Sequence, residues 1–122
     1  MNKLDVDSDM YRIVGCAMTV YNKMKHGFNE KVYERCLDIE LKKQGLSVRR
    51  QVKLTAYYDN TLAGVFFADM VVNANVVVEL KAVHHLAKMH EEQIREYLKA
   101  SGYTEGLLIN FGNPRRLEWR VY

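Results

Sequence analysis

Two acidic residues and a lysine interrupt the most apolar stretch of the sequence, ADMVVNANVVVELKA at positions 68–82. Asp69, Glu79 and Lys81 stand among valines and a methionine, where an unpaired charge is costly to bury. Glu79 and Lys81 are two residues apart, so on a strand they project from the same face. Acids and an amine in such a setting form either an ion pair or a site that binds a cation.

The relative position of the two acids depends on the turn between the strands that carry them. If residues 73–75 form a three-residue turn, Val72 pairs with Val76, and the same register places Asp69 opposite Glu79. A two-residue turn would shift the register by one and send the acids to opposite faces. We expect the three-residue turn.

Two carboxylates that face each other across a ladder repel, and a hard divalent cation relieves that repulsion. Mg²⁺ (or Mn²⁺) takes carboxylate and carbonyl oxygens as ligands. Lys81 could then orient, or help to deprotonate, a water molecule beside the cation, which is the chemistry of phosphodiester hydrolysis. The alternative is an ion pair at a sheet edge, with Lys81 neutralising Glu79 or Asp69. The spacing leaves both open, and the apolar surroundings favour the metal site.

Hydrophobic periodicity predicts the elements that must position these residues. Helices are predicted over 8–25, 29–44 and 86–102, and strands over 48–58, 64–72, 76–83, 106–112 and 116–122, with a turn at 59–64. In the first strand the alternation predicts that Val48, Val52, Leu54 and Ala56 share one face. The order α-α-β-β-β-α-β-β predicts the α/β (α+β) class, a mixed sheet flanked by helices. The crossover into the fourth strand should be right-handed, which makes the third and fourth strands parallel.

Length and composition predict one globular domain over residues 1–122, since 48% hydrophobic and 27% charged residues are ordinary for a protein with a core. The N-terminal segment does not have the pattern of a signal peptide, and no apolar run is long enough to span a bilayer. We therefore expect a cytoplasmic protein with no membrane partner. Cys16 and Cys36 form no C-x-x-C pair, and we expect buried free thiols rather than redox or metal roles.

A net charge of +3 permits a nucleic-acid partner without requiring one. Positive charge is concentrated in VRRQVK (48–53) and PRRLEWR (114–120), which are either solvated faces or a phosphate-binding surface. His84, His85 and His90 have no i, i+4 pair, which argues against a helical zinc site. Glycine-rich nucleotide-binding motifs and the G-x-S-x-G elbow are also missing from the sequence.

Asp69 followed by ELK at 79–81 on the next strand resembles the PD-(D/E)XK nuclease superfamily. The core order of that superfamily, α-β-β-β-α-β, is similar to the predicted order over residues 29–111. The proline of the superfamily pattern is absent, since Ala68 precedes Asp69. Proline supplies no ligand, so this departure leaves the implied chemistry intact.

The segment GFNEKVY (27–33) is similar to the G-x-x-E-x-x-Y signature of the GxxExxY family within that superfamily, with Gly27, Glu30 and Tyr33 at the fixed positions. Gln93 and Tyr97 occupy the Q-x-x-x-Y helix motif that is seen in RecB-like branches. The similarity spans several separated motifs in the expected order, which is more specific than the E-x-K triplet alone.

The resemblance implies a restriction-endonuclease-like fold and metal-dependent hydrolysis of phosphodiester bonds in nucleic acid, with DNA as the expected partner. Asp69 and Glu79 would hold Mg²⁺ (or Mn²⁺), with the Leu80 backbone carbonyl as a further ligand. Lys81 would be the catalytic lysine. Glu30 would act as an outer acid or supplementary ligand, although an acid in the first turn of a helix is also favoured by the helix dipole.

Further residues are implied to contact the substrate. Tyr33, Gln93 and Tyr97 are candidates, although Tyr33 could equally be a core aromatic residue and Gln93 a solvated amide beside a half-buried tyrosine. The candidate phosphate contacts are Arg49, Arg50, Lys53, Lys88, Arg115 and Arg116. So small a domain covers little DNA, which makes a homodimer or a larger protein partner plausible. The alternative functions are a catalytically inactive nuclease-fold module that binds nucleic acid or a protein, and a structural subunit.

Overall fold

The computed structural model describes residues 4–122, so the first three residues of the predicted domain lie outside the described part. The elements are helices α1 (Asp9–Met24), α2 (Glu30–Lys43) and α3 (Lys88–Ser101) and strands β1 (Val48–Tyr58), β2 (Thr61–Val72), β3 (Val76–Lys81), β4 (Glu105–Asn110) and β5 (Glu118–Val121). The predicted order and the mixed α+β class are confirmed.

The helices begin and end where local chemistry satisfies their free backbone groups. The Ser8 side chain accepts a hydrogen bond from the Tyr11 amide at 3.1 Å and caps α1. The Asn29 side chain does the same for the Val32 amide at 3.2 Å and caps α2. Gly102 ends α3 in the left-handed conformation that glycine adopts without strain.

The five strands form one mixed sheet in the order β1-β2-β3-β4-β5. Neighbours are antiparallel except β3 and β4, which are parallel, as the predicted crossover requires. β3 is therefore the central strand, and its residues Val76–Leu80 are buried. A strand buried on both faces reads as a continuous apolar run, which explains the valines around Glu79.

The turn between β1 and β2 is shorter than the predicted six residues at 59–64. It consists of Asp59 and Asn60, whose φ angles are 48° and 61°, and β2 already begins at Thr61. Asp and Asn tolerate this left-handed conformation better than other non-glycine residues. β1 and β2 thus form a long hairpin of 11 and 12 residues.

Two hydrophobic clusters lie on the two sides of the sheet. The larger is formed by α1, α2 and the sheet, and in it Tyr33 stacks on Phe111 with ring centroids 4.7 Å apart. The smaller includes Tyr97 of α3. Both cysteines are free thiols, as expected, but only Cys16 is buried, whereas Cys36 is half-buried. Within residues 4–122, no helix has the length and apolar character that crossing a bilayer would require.

Candidate active site

The predicted register between β2 and β3 is confirmed. Val72 pairs with Val76 across a three-residue turn, and Met70–Val78 is the last pair of the ladder. Beyond this pair, hydrogen bonds from backbone amides to the side chains of Asp69 and Glu79 replace the backbone ladder. The Asp69 amide donates to Glu79 Oε1 at 2.9 Å, and the Leu80 amide donates to Asp69 Oδ2 at 2.8 Å. These reciprocal bonds hold the two carboxylates side by side at the point where the strands separate.

β1 bends opposite Asp69. Gln51 has a φ angle of 51°, and although its neighbours Arg50 and Val52 pair with β2, Gln51 itself does not. Ala68 belongs to the smaller cluster whereas Met70 belongs to the larger, so the usual alternation of faces is broken at Asp69.

The bend corrects one prediction for β1. Regular alternation places Val48 on the same face as Val52 and Leu54. In the structure Val48 packs against the larger cluster, while Val52 and Leu54 lie in the smaller one. The left-handed conformation of Gln51 exchanges the two faces of β1, so the residues before and after it point to different clusters. Asp69 on β2 lies opposite Gln51.

Glu79 is buried and Asp69 is half-buried. Glu79 is 3% exposed, and its burial, followed by the charge of Asp69, raises the pKa of Glu79 to about 8. Burial also raises the pKa of Asp69, against the hydrogen bond from the Leu80 amide. The charge of Lys81 acts in the opposite direction on both acids.

The structure does not support an ion pair as the reason for this cluster. Among residues 4–122, neither Asp69 nor Glu79 has a salt-bridge partner. Glu79 lies on the central strand and Asp69 on its neighbour β2, so neither is at a sheet edge. A buried acid beside a half-buried one, with no cationic side chain in contact among residues 4–122, is unstable when both are ionised. A hard divalent cation fits this donor set, because its preferred ligands are carboxylate oxygens.

Within residues 4–122, no third acidic or other metal-binding side chain joins the two carboxylates. In the part of the chain that the structure describes, no group of three or more His, Cys, Asp or Glu residues could hold a metal ion. Glu30 is exposed in the first turn of α2, although its charge raises the pKa of both Asp69 and Glu79. A cation between Asp69 and Glu79 would therefore take its other ligands from backbone oxygen, water or substrate.

Glu34 is a site neighbour that sequence reasoning missed. It is 3% exposed on α2, one turn after Glu30, and its charge raises the pKa of Asp69. Arg50 donates to Glu34 Oε2 at 2.9 and 2.7 Å, and Gln51 donates to Glu34 Oε1 at 2.9 Å. Glu34 thus joins α2 to the bend in β1. The sequence signal was an acidic residue at an apolar position of the helix. Its role could be recognised only once the structure showed Arg50 and Gln51 as its partners.

We expect Glu34→Ala to reduce the free energy of unfolding by roughly 2–4 kcal/mol, because it leaves the Arg50 guanidinium and Gln51 amide without their buried partner. Urea unfolding at pH 7 measures this. Glu40→Ala on the same helix is the control, since half-buried Glu40 pairs only with the exposed Lys43 and its loss should cost clearly less. Equal losses in the two variants would contradict the role given to Glu34.

α3 brings Gln93 and Tyr97 to the same side of the sheet. Gln93 Nε2 donates to the Tyr97 hydroxyl at 3.1 Å, so the two residues of the helix motif contact each other. Tyr97 is 8% exposed, and its burial, followed by the charges of Glu79 and Asp69, raises its pKa. The motif is therefore electrostatically coupled to the carboxylate pair, with Gln93 half-buried beside it.

Tyr33 lies where no substrate can reach it, which corrects its prediction as a substrate contact. Its side chain is fully buried on Phe111, its hydroxyl donates to the Lys25 carbonyl and it accepts from the Phe28 amide at 3.2 Å. The core alternative is the one observed. Tyr33 holds the turn that precedes α2.

The predicted phosphate contacts do not form one cluster. Arg49 and Lys53 are exposed on β1 at one edge of the sheet, and Arg50 is engaged by Glu34. The others are also exposed. Lys88 lies at the start of α3, and Arg115 and Arg116 lie in the segment before β5 at the opposite edge. His90 accepts from the Ala87 amide at 2.9 Å and so caps α3, while His84 and His85 are exposed.

A second polar network, also missed, anchors the segment after Lys81. Asn110 bonds both the amide and the carbonyl of Val83, at 2.9 and 2.7 Å, and donates to Glu118 at 2.8 Å. A Cβ at Gly112 would overlap with the backbone of Ala82 and Val83, so only glycine permits this close approach. The network fixes the chain immediately beyond Lys81.

One comparison with known proteins gives a match. A family model described as the PD-(D/E)XK nuclease superfamily matches residues 7–121, which is nearly the whole chain. No curated protein and no solved structure matches the chain.

Proposed function

Because the chain belongs to the PD-(D/E)XK nuclease superfamily, we propose that it is a metal-dependent nuclease that hydrolyses phosphodiester bonds of DNA. The observation that carries the proposal is the pair of buried Glu79 and half-buried Asp69, which has no salt-bridge partner among residues 4–122, with Lys81 on the same strand as Glu79. A protein that used these acids only for structure would gain stability by neutralising them, and the pair makes no such contact.

Mg²⁺ (or Mn²⁺) is the proposed cofactor, with Asp69 and Glu79 as ligands. Each carboxylate uses one oxygen for a backbone amide, which orients the other. The Leu80 carbonyl is a proposed third ligand. The Leu80 amide bonds the Asp69 carboxylate, and the amide and carbonyl of a strand residue point to the same side.

In the proposed reaction a water molecule attacks the phosphorus and the bond to the leaving sugar oxygen breaks. A bound divalent cation would polarise the phosphodiester group and reduce its charge. Lys81 would orient the attacking water or stabilise the negative charge that develops on the phosphoryl oxygens. Glu30 is proposed as an outer acid, since its charge acts on both carboxylates from α2.

Gln93 and Tyr97 are proposed to contact the substrate backbone or to brace Lys81, since they lie beside the acid pair on α3. Arg49, Lys53, Lys88, Arg115 and Arg116 are proposed phosphate contacts because they are exposed, and Arg50 remains a weaker candidate. Contacts of this kind would make DNA binding strongly salt-dependent.

We also propose membership of the GxxExxY family and a relation to the RecB-like branch. The first and last residues of the G-x-x-E-x-x-Y pattern build one turn, which gives the pattern a physical reason. Gly27 has a φ angle of 117°, which strongly favours glycine. The Tyr33 hydroxyl bonds backbone groups on both sides of Gly27, at Lys25 and Phe28.

Residues 1–122 are proposed to act as one domain, with a homodimer or a larger protein partner extending its contact with DNA. Two free cysteines are typical of a reducing compartment, which supports the proposed cytoplasmic location. The second candidate function is a catalytically inactive module that binds nucleic acid or a protein, and the complete set of Asp69, Glu79 and Lys81 argues against it.

A cleavage assay tests the proposal directly. Purified protein is incubated with supercoiled, linear and branched DNA in the presence of Mg²⁺, Mn²⁺ or EDTA. We expect cleavage of at least one DNA form with a divalent cation and none with EDTA, because the acid pair needs a cation to approach a phosphate. Salt-sensitive binding without cleavage under any condition would instead favour the inactive module.

A further inference from the structure

A groove lies between α3 and the β1–β2 hairpin, on the side of the sheet where Tyr97 packs. It has a volume of about 530 Å³ and seven lining residues, which include Tyr57, Phe66 and Lys99. Pockets of roughly 300–1,000 Å³ are typical of small-ligand sites. The groove is therefore large enough to hold a nucleotide-sized group.

An aromatic contact links the groove to Tyr97, which lies beside the candidate active site. Phe66, which forms part of its lining, lies with its ring centroid 5.7 Å from that of Tyr97, whose pKa responds to the charges of Glu79 and Asp69. Lys99 and Ala100 line the groove and follow Tyr97 on α3 within one turn. The groove and the acid pair are thus both neighbours of Tyr97.

The lining has the chemistry of a base-stacking site. Tyr57 is 65% exposed and Phe66 is half-buried, so aromatic surface is open to a ligand. Ala56 and Ala100 are small and leave room for a planar ring. The two charged lining residues are Glu96 and Lys99, and Lys99 supplies a positive charge for a backbone phosphate. Aromatic side chains beside cationic residues are the usual means of binding unpaired nucleotides.

We propose that this groove binds an unpaired nucleobase next to the phosphate that is cleaved, so that the substrate is single-stranded, or has a single-stranded end, at the site. The inference rests on the proposed nuclease function and extends it to the form of the substrate. A base held between a helix and a hairpin must leave the stack of a duplex. A second copy of the chain is a poorer occupant, because stable protein interfaces bury roughly 20–30 residues a side against the seven here.

The test compares two adjacent exposed tyrosines. Tyr57 lines the groove, whereas Tyr58 is 75% exposed and does not, so Tyr58→Ala is a matched control for Tyr57→Ala. Binding is measured in EDTA, where cleavage is absent, with single-stranded DNA that carries the fluorescent base 2-aminopurine. We expect binding to quench the fluorescence, and Tyr57→Ala to weaken binding about 5- to 100-fold while Tyr58→Ala changes it less than about twofold.

The outcomes separate this inference from the proposed function. Equal affinities for the Tyr57 and Tyr58 variants, or binding without quenching, would overturn the proposal that the groove binds a base, even if the wild type cleaves DNA. A wild-type dimer that dissociates in Tyr57→Ala, seen by sedimentation, would make the groove a subunit interface and also overturn the proposal. If binding depends on Tyr57 but the protein never cleaves DNA, the result would support base binding in the groove and refute the proposed nuclease function.

Discussion

Asp69→Asn should reduce DNA cleavage about 10³-fold or more at saturating Mg²⁺. The substitution keeps the size of the side chain and an oxygen that can accept the Leu80 amide, but it removes one of the two charges proposed to hold the cation. A loss of 10³ corresponds to about 4 kcal/mol of transition-state stabilisation. Initial rates of cleavage measure the effect, with thermal unfolding of the same preparations to confirm that the variant is folded.

Asp59→Asn is the matched control, because Asp59 lies in the exposed turn at the far end of the hairpin and asparagine tolerates its φ angle of 48°. It should cleave like the wild type. Lys81→Met separates the roles within the site, since it should reduce cleavage but leave stabilisation by Mg²⁺ in place. Full activity of the Asp69 variant would refute the proposed metal site.

The metal-free protein should lose stability as the pH rises from about 5 to 8, and Glu79→Gln should abolish most of that loss. The pKa of Glu79 is about 8 in the folded protein, against an ordinary value of 4.5 for a glutamate in water. Between these values the folded state keeps a proton that the unfolded state has released, so a rising pH favours unfolding. The raised pKa of Asp69 acts in the same direction. The change is on the order of 3–5 kcal/mol.

Thermal unfolding in EDTA at pH 5.5, 7 and 8 measures the slope, and repetition with Mg²⁺ tests the cation. Mg²⁺ should raise the Tm of the wild type more at pH 8 than at pH 5.5, because it must displace the Glu79 proton at the lower pH. Glu79→Gln should be more stable than the wild type at pH 8 without Mg²⁺ and gain nothing from Mg²⁺. Glu92→Gln, on an exposed part of α3, is the control. A wild type whose stability does not fall over this range would contradict the prediction.

The sequence predicted the parts of the fold that depend on neighbours along the chain. Alternation and the NAN turn were enough to pair Val72 with Val76, and the crossover rule was enough to make β3 and β4 parallel. The bend at Gln51 was not predictable, because a left-handed residue inside a strand leaves no mark in the hydrophobic pattern. The assignment of Val48 to the face of Val52 failed for that reason.

The partners of the site were less predictable than its acids. Glu34 and Arg50 are 16 residues apart, and Asn110 and Val83 are 27 apart, so no local pattern connects them. Tyr33 shows the opposite error, since a residue in a functional signature was expected to touch substrate. Its hydroxyl is satisfied by backbone groups, and a motif can be maintained by turn geometry as well as by chemistry.

The position of the two acids on consecutive strands of one hairpin has a consequence for the order of folding. Asp69 and Glu79 are only ten residues apart, and the closure of so short a hairpin takes about 1–10 μs in isolated peptides. The pairing of β3 with β4 must wait for a crossover that contains α3, and non-local contacts of that kind form more slowly. We therefore expect the two acids to meet while both are still in water, and their mutual repulsion to grow only when α3 closes over the sheet.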